Sequence, residues 1–269
     1  MSIKKLPIEK LPGVAKLQAL ATKYYEQRLL EEVKGAGRAP RHVGIILDGN
    51  RRFAREANLE VSQGHALGAS KLKEVLEWCR ELGIKHVTVF AFSTENFNRS
   101  DEEVEALMDM FVGKFKKITS DARVHEHKIR VRVIGDLSRL PKRVVDAIRK
   151  AEDATRGYDG YSLNLAIGYG GRAELVDAMR RISERIERGE LKPSDIDERL
   201  ISSHLYTSGL PDPDLIIRTS GEERLSGFLL WQSAYSELYF CEAYWPAFSK
   251  IDFLRAIRTY QRRERRFGR

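Results

Sequence analysis

Three stretches of this 269-residue chain place chemically capable side chains directly after apolar runs. "HVGIILDGNRRFA" (42–54) carries Val43, Ile45, Ile46 and Leu47, then breaks into Asp48, Gly49, Asn50, Arg51 and Arg52. "VFAFSTENFNRSDEEV" (89–104) leaves Phe92 for Ser93, Thr94, Glu95, Asn96, Asn98 and Arg99, with Phe97 among them. "DLIIRTSGEERLSGFLLWQSAYSELYF" (214–240) exits at Arg218, followed by Arg224 and Ser226, with Glu237 inside a later apolar run. A carboxylate beside two guanidiniums suits a metal ion that shares an anionic ligand, and arginine forks suit phosphate oxygens. An acid within "AYSELYF" is costly to bury unless it is paired or metal-bound. Each stretch alone would pass for an ordinary turn with solvated charges. Three such exits in one sheet point to a site.

The elements that must position these residues follow from periodicity. Short apolar runs at 42–47, 86–92, 129–134, 161–167, 214–217 and 236–240 are predicted strands. Between them lie helical stripes: Leu72, Val75, Leu76, Cys79 and Leu82; Val104, Leu107, Met108, Phe111 and Phe115; Leu175, Val176, Met179, Ile182 and Ile186. Ser100-x-x-Glu103 has the form of a capping box, and Ser249-x-x-Asp252 resembles one. Strands alternating with helices predict an α/β fold, a mostly parallel central sheet of about six strands with helices on both faces. Ligands in such sheets bind beyond the carboxyl ends of the strands, where all three polar stretches fall.

"GYGGRA" (168–173) matches a dinucleotide fingerprint, yet the region about 20 residues on reads "RGELKPSDIDE" and contains no strand ending in an acid. A tight strand-to-helix turn that approaches a ligand closely is the better reading. The chain has neither a G-x-x-x-x-G-K-[ST] loop nor a G-x-S-x-G elbow.

Composition narrows the partners. The chain is 42% hydrophobic and 32% charged, with 47 basic against 39 acidic residues, formally +8. That excess favours anionic partners such as phosphates, nucleic acid or an acidic membrane surface. Two distant cysteines, Cys79 and Cys241, suggest neither a disulfide framework nor a zinc site and fit a reducing cytoplasm. No apolar run reaches the roughly 18 residues of a membrane span. Leu17, Leu20, Ala21, Tyr24 and Leu29 fall near helical spacing; a short helix packed on the body is expected in preference to one lying in a membrane.

The segments quoted above, together with "GHALGA", "IRVRVIGD", "LNLAIGYGGRAEL" and the ending "RRERRFG", resemble the cis-prenyltransferases, close to the undecaprenyl diphosphate synthases. The resemblance covers roughly residues 40–269. It leaves 1–39 as an N-terminal helical extension of a length similar to that of archaeal members. It implies a catalytic domain over 40–269 enclosing an apolar tunnel, usually in a homodimer. It also implies Z-type condensation of isopentenyl diphosphate onto an allylic diphosphate (farnesyl or geranylgeranyl), giving a long polyprenyl diphosphate, a glycosyl carrier lipid precursor. The enzyme would be cytoplasmic or peripheral at a membrane surface, handing its product to the membrane, with no nucleic-acid partner.

Residue by residue, the resemblance implies that Asp48 holds Mg²⁺ against a diphosphate and that Glu237 is metal-associated, coming from the partner's site region. Gly49, Asn50, Arg51, Arg52 and His65 match the allylic diphosphate cradle, with Phe53 beside them. Arg218, Arg224, Leu225 and Ser226 match the isopentenyl diphosphate site. Ser93, Thr94, Glu95, Asn96, Phe97 and Arg99 match a mobile segment, with Asn96 near the proton that is removed. Arg266 and Gly268 match an R-x-G ending that reaches the neighbour's phosphates. Few carboxylates plus phosphate oxygens is what Mg²⁺ prefers.

The sequence also departs from that pattern. Val61 stands where many bacterial members have a phosphate-contacting arginine, Arg51 where they often have glycine, and Phe53 and Phe97 where they have tryptophans. Arg51 is a candidate to replace the lost charge. A nucleic-acid-binding protein would interleave exposed aromatics with basic residues, which this chain does not do. An inactive scaffold member would lack the Asp48-type acid and the phosphate arginines.

Overall fold

The structure is a computed structural model that describes residues 14–263. Helix α1 (Val14–Gly35) leads into strand β1 (His42–Ile46), followed by α2 (Asn50–Glu56), α3 (Val61–Glu81) and β2 (His86–Ser93). Next come α4 (Asp101–Ile118), α5 (Ala122–Glu126), β3 (Ile129–Ile134), α6 (Lys142–Thr155), β4 (Tyr161–Tyr169) and α7 (Gly171–Glu187). The chain continues with α8 (Glu198–His204), β5 (Leu215–Arg218), β6 (Glu237–Phe240) and α9 (Lys250–Arg262). All six predicted strands form, and every pairing is parallel, in the order β3-β4-β2-β1-β5-β6.

β1 is buried along its whole length, as expected for the centre of a parallel sheet covered on both faces. Val43 and Ile45 pack with Val75 and Cys79 of α3 and Phe253 and Ile257 of α9, and α4 with α6 continues this layer beside Phe92 and Ile167. Ile46 and Ile216 face the other way, onto Phe228 and Leu229. A buried polar chain threads the same sheet: Asn164 Nδ2 lies 3.2 Å from Thr88 Oγ1, which lies 2.7 Å from His42 Nε2, while His42 Nδ1 lies 2.7 Å from the Pro211 carbonyl.

Two expectations change. α1 is not a short packed helix: its second half docks Leu29 and Val33 into the core beside α9, whereas residues 16–25 are exposed. On α7 the buried side chains are Glu174, Ala178 and Ile182, so Val176 and Met179 of the apolar stripe point outward, 46% and 62% exposed. Glu174 can be inside because it is saturated: it accepts from Tyr169 Oη, Gln232 Nε2 and the Tyr206 amide. Burial raises its pKa even against those donors.

The "GYGGRA" turn does approach something closely, but it is protein. Gly171 N donates to Gly227 O at 2.9 Å, and a Cβ on Gly171 would sit 2.5 Å from that oxygen. The turn thus braces the segment that presents Ser226.

Candidate active site

β1, β2 and β5 end side by side, and the parallel register brings Asp48, Ser93 and Arg218 to one rim of the sheet. Asp48 takes its place through Gly49, whose φ of 102° lets the chain turn into α2. A Cβ at Gly49 would also lie 2.8 Å from the Tyr244 ring. Asp48 Oδ2 accepts from Arg218 at 2.7 Å, and Oδ1 lies 3.3 Å from Arg52. Burial alone would raise the Asp48 pKa. The Arg218 hydrogen bond and charge, with the Arg52 charge, outweigh it and hold the carboxyl below its usual range.

Arg218 is buried, and it also donates to Ser226 Oγ at 2.8 Å and to the Arg224 carbonyl, while its Nε has no partner. Ser226 has a φ of 48°, so its hydroxyl is held out of the regular chain path. Arg52 donates to Ser220 Oγ at 2.6 Å and to Glu222 at 3.1 Å, and Glu222 also pairs with the exposed Arg224. Asp48 and Glu222 therefore each bridge an arginine of the expected allylic cradle to one of the expected isopentenyl site.

A second cluster lies across α2, α3 and α4. Glu103 of α4 accepts from Arg99 at 2.9 Å, lies 3.2 Å from His65 Nε2 and 3.7 Å from Arg51 Nε. In sequence Glu103 reads as half of a capping box. The Ser100 hydroxyl does accept from the Glu103 amide, but the Glu103 carboxylate is turned to these cations. Burial lowers the His65 pKa, the Glu103 hydrogen bond raises it, and the Arg99 and Arg51 charges lower it, leaving the ring neutral near pH 7. Glu103, Glu222 and Ser220 are the site residues that sequence reading missed, since each contact spans elements.

Between the clusters opens an apolar cavity of about 370 Å³. Asp48, Asn50, His65, Ser93, Asn96, Arg99, Arg218 and Ser226 line its polar end. From there it follows α3 from His65 to Glu77, a rise of about 18 Å at 1.5 Å per residue, past Leu72, Leu76, Phe111 and Leu165. Asn96 is fixed by accepting the Ser93 amide at 3.0 Å. Asn50 donates to the Leu47 carbonyl at 3.1 Å and leaves its Oδ1 buried without a partner.

Other expected residues lie elsewhere. Phe97 packs edge-on against Phe92 and under Arg139, away from the cavity, and Leu225 packs beside Phe228. Phe53, Thr94 and Glu95 are near the site but do not line the cavity. Glu237 opens β6 opposite Leu215 and pairs with Arg263. Within one chain it is therefore some five residues of strand below Asp48, about 16 Å at about 3.3 Å per residue. Arg266 and Gly268 lie outside the described residues.

Comparison with known proteins agrees with this geometry. Residues 46–268 match the prenyltransferase family model for undecaprenyl diphosphate synthase. The chain is 55% identical over 248 residues to the geranylgeranyl-diphosphate-specific tritrans,polycis-undecaprenyl-diphosphate synthase of Methanocaldococcus jannaschii, covering 91% of this chain and 88% of that one. It is 58% identical over 247 residues to the synthase of the same name from Methanopyrus kandleri, covering 92% and 91%. Among solved structures, lavandulyl diphosphate synthase from Lavandula x intermedia, in complex with dimethylallyl diphosphate, superimposes with a TM-score of 0.82 at 40% identity, covering 86% of this chain and 99% of that one.

Proposed function

The chain belongs to the undecaprenyl diphosphate synthase family of cis-prenyltransferases, and we propose that its allylic primer is geranylgeranyl diphosphate and that Asp48 is the pivot of its diphosphate chemistry. The family reaction adds isopentenyl diphosphate to an allylic diphosphate with formation of a Z double bond. The observation that carries the residue assignment is Asp48 held between Arg52 and Arg218 at the polar end of an apolar cavity. The primer follows from the archaeal relatives, whose names specify geranylgeranyl diphosphate.

In this reading Arg52, with Asn50, His65 and Arg51, holds the allylic diphosphate, and the hydrocarbon tail enters the cavity between α3 and α4. Arg51 supplies charge that Val61 does not. Arg224, Arg218 and Ser226 hold isopentenyl diphosphate. Its terminal carbon attacks the allylic carbon as the C–O bond to pyrophosphate breaks, and the proton lost from the new C–C unit beside Asn96 passes to an oxygen of the departing pyrophosphate. Fixed arginines stabilise the charge that develops on the leaving pyrophosphate without reorganising. The apolar walls keep water from the allylic centre.

The donor set fits a divalent cation of the Mg²⁺ type. Asp48 is ionised and reaches the cavity, Asn50 on the same wall has an unpartnered oxygen, and no cluster of three or more protein ligands competes among the described residues. When bound, the ion would neutralise the leaving pyrophosphate. Glu237 can serve such an ion only from a second copy, since its own chain holds it at the other end of the sheet. The exposed Val176 and Met179 on α7, with Leu230 against the start of that helix, support a homodimer through this face.

The test is direct: incubate the protein with Mg²⁺, labelled isopentenyl diphosphate and geranyl, farnesyl or geranylgeranyl diphosphate in turn, and size the products. Long-chain product should form fastest from geranylgeranyl diphosphate. Preference for a shorter primer would overturn the primer assignment.

A further inference from the structure

The chain leaves β2 through a short 3₁₀ helix, Thr94–Asn98. A 3₁₀ helix has three residues per turn, so side chains three positions apart lie over one another. Its faces divide accordingly. Ser93, Asn96 and Arg99 line the cavity. Glu95 and Asn98 are exposed to solvent. Thr94 and Phe97 form the third face, which is turned into the protein. Thr94 seats against Gly170, where a Cβ would lie 2.7 Å from its Oγ1, and the Phe97 ring meets Phe92 edge-on at 4.8 Å. This third face fixes the rotation of the turn, and with it the direction in which Asn96 and Arg99 point.

Arg139 closes over Phe97 from outside. Its guanidinium carbon lies 4.2 Å from the ring centroid, within cation–π range. Arg139 is exposed, and among the described residues its guanidinium forms no hydrogen bond or ion pair, so the ring is what its charge faces. The mount of Arg139 is independent of the turn it covers. Asp136 accepts from the Ser138 amide at 3.0 Å, and the Asp136 amide donates to the Gly168 carbonyl in β4 at 3.1 Å. Leu137 and Leu140, on either side, pack into the same apolar cluster as Phe92. Arg139 therefore stands on the end of β3 and β4 and reaches across to a turn that belongs to β2.

From this division of faces and the placement of Arg139 on the inward one, we infer that Arg139 is a positioning residue for the condensation, acting through Phe97 on Asn96 and Arg99. The inference rests on the chain-elongation reading above and adds to it a residue that touches neither substrate nor cavity. With the ring clasped between Phe92 and Arg139, the turn has one seat, and Asn96 is presented where the departing proton must be met. Without the clasp the turn can rock about its axis, and displacements of about 1 Å at a reacting group are enough to slow a reaction severely. A cation over an exposed ring contributes modestly, so the share lost with Arg139 alone is a small factor in rate rather than an abolition.

The test uses full-length protein and two readouts. In single-turnover condensation with geranylgeranyl diphosphate and limiting isopentenyl diphosphate, Arg139→Gln should be about three- to fivefold slower than wild type, with KM for either substrate nearly unchanged. Arg139→Lys, which keeps a cation over the ring, should recover at least about half of the loss. Phe97→Leu should be slower still, and adding Arg139→Gln to it should cost nothing more, because the partner is already gone. Hydrogen exchange without substrate should show amides 93–99 exchanging about three- to fivefold faster in Arg139→Gln, while amides 136–140 are unchanged. The exposed substitution should melt within about 2 °C of wild type. A wild-type rate in Arg139→Gln, unchanged exchange at 93–99, or a full further loss in the Phe97→Leu background would overturn the inference. So would a thermal midpoint lowered by more than about 4 °C, which would make the effect one of stability. Absence of any prenyl product from wild type would instead defeat the chain-elongation reading, and the exchange measurement decides the clasp independently of it.

Discussion

Arg218 and Asp48 are 170 positions apart in the chain and 2.7 Å apart in the fold. The pair stands at the end of β5 and just past the end of β1, adjacent parallel strands, so the sheet itself sets the distance. Asp48 thus has two tasks, presenting a carboxylate to the cavity and neutralising a buried guanidinium.

The two tasks separate by substitution. Asp48→Ala should leave below about 1% of wild-type turnover, as loss of such charge stabilisation costs factors of about 10² or more. It should also destabilise the protein, because Arg218 keeps Ser226 and the Arg224 carbonyl but loses its counter-charge. With Asp48 partly solvated, about 2 kcal/mol is expected, less than for a fully buried pair. That corresponds to a thermal midpoint lower by about 4–8 °C. Asp48→Asn, which keeps a hydrogen-bond acceptor for Arg218, should melt closer to wild type while staying inactive. Wild-type-like turnover in either variant would remove Asp48 from the chemistry.

The two diphosphate cradles should respond differently to single substitutions. Arg224→Ala should raise KM for isopentenyl diphosphate by about tenfold or more and leave that for the primer nearly unchanged, as loss of one charged hydrogen bond predicts. Arg52→Ala should show the reverse bias. Arg218→Ala should disturb both, since that side chain touches Asp48 on one side and Ser226 on the other. Steady-state kinetics with each substrate varied in turn checks all three. Equal effects from Arg224 and Arg52 would mean the cradles are misassigned.

Glu103 hydrogen-bonds Arg99 and His65 and pairs with Arg51, taking up cationic positions that an anionic ligand would use. A ligand diphosphate must displace or share them with a carboxylate whose pKa its neighbours lower, overcoming the rise that burial would cause. Glu103→Gln removes the competing charge and keeps the shape. Inorganic pyrophosphate should then inhibit several-fold more tightly, a change of about 1 kcal/mol for one partly exposed pair. Unchanged or weaker inhibition would show that Glu103 orients the cations rather than competing with the ligand.

Much of this site was legible in the sequence because parallel sheets concentrate ligand-binding side chains where strands end, and apolar runs reveal strand ends. Asp48, Ser93 and Arg218 were found that way. Glu103 and Glu222 were not: each sits in a helix start or turn, where an acid has an ordinary local explanation, and only the fold brings arginines from other elements to it. α7 misled for a related reason. Its outward Val176 and Met179 mimic a core stripe, while the buried Glu174 is tolerable only because Tyr169, Tyr206 and Gln232 converge on it. The exposed start of α1 has helical periodicity either way, and spacing alone says nothing about what covers the stripe.

The buried His42 makes acid stability a test of the sheet core. Burial lowers its pKa to about 4, with the nearby His86 adding to that, while the Pro211 hydrogen bond and the Asp214 charge act in the opposite direction. Its Nδ1 donates to the Pro211 carbonyl and its Nε2 accepts from Thr88, an arrangement that requires the neutral ring. In the unfolded chain the imidazole titrates near its ordinary value of about 6.5. Between these two values the unfolded state binds the extra proton, so stability is complete above about pH 6.5 and falls as the pH drops toward 4. The gap corresponds to about 3 kcal/mol lost by pH 4, at about 1.4 kcal/mol per pH unit. His65 and His86 also have lowered pKa values and add to the acid sensitivity. They remain in a His42→Gln variant, which keeps a donor and an acceptor for Pro211 and Thr88 but does not titrate. Urea unfolding at a series of pH values from 7 to 4 should therefore show wild type losing about 3 kcal/mol more than the variant over that interval, with the two curves parallel above pH 7. Parallel curves throughout would mean that His42 is protonated in the folded protein or that the acid-sensitive step lies elsewhere.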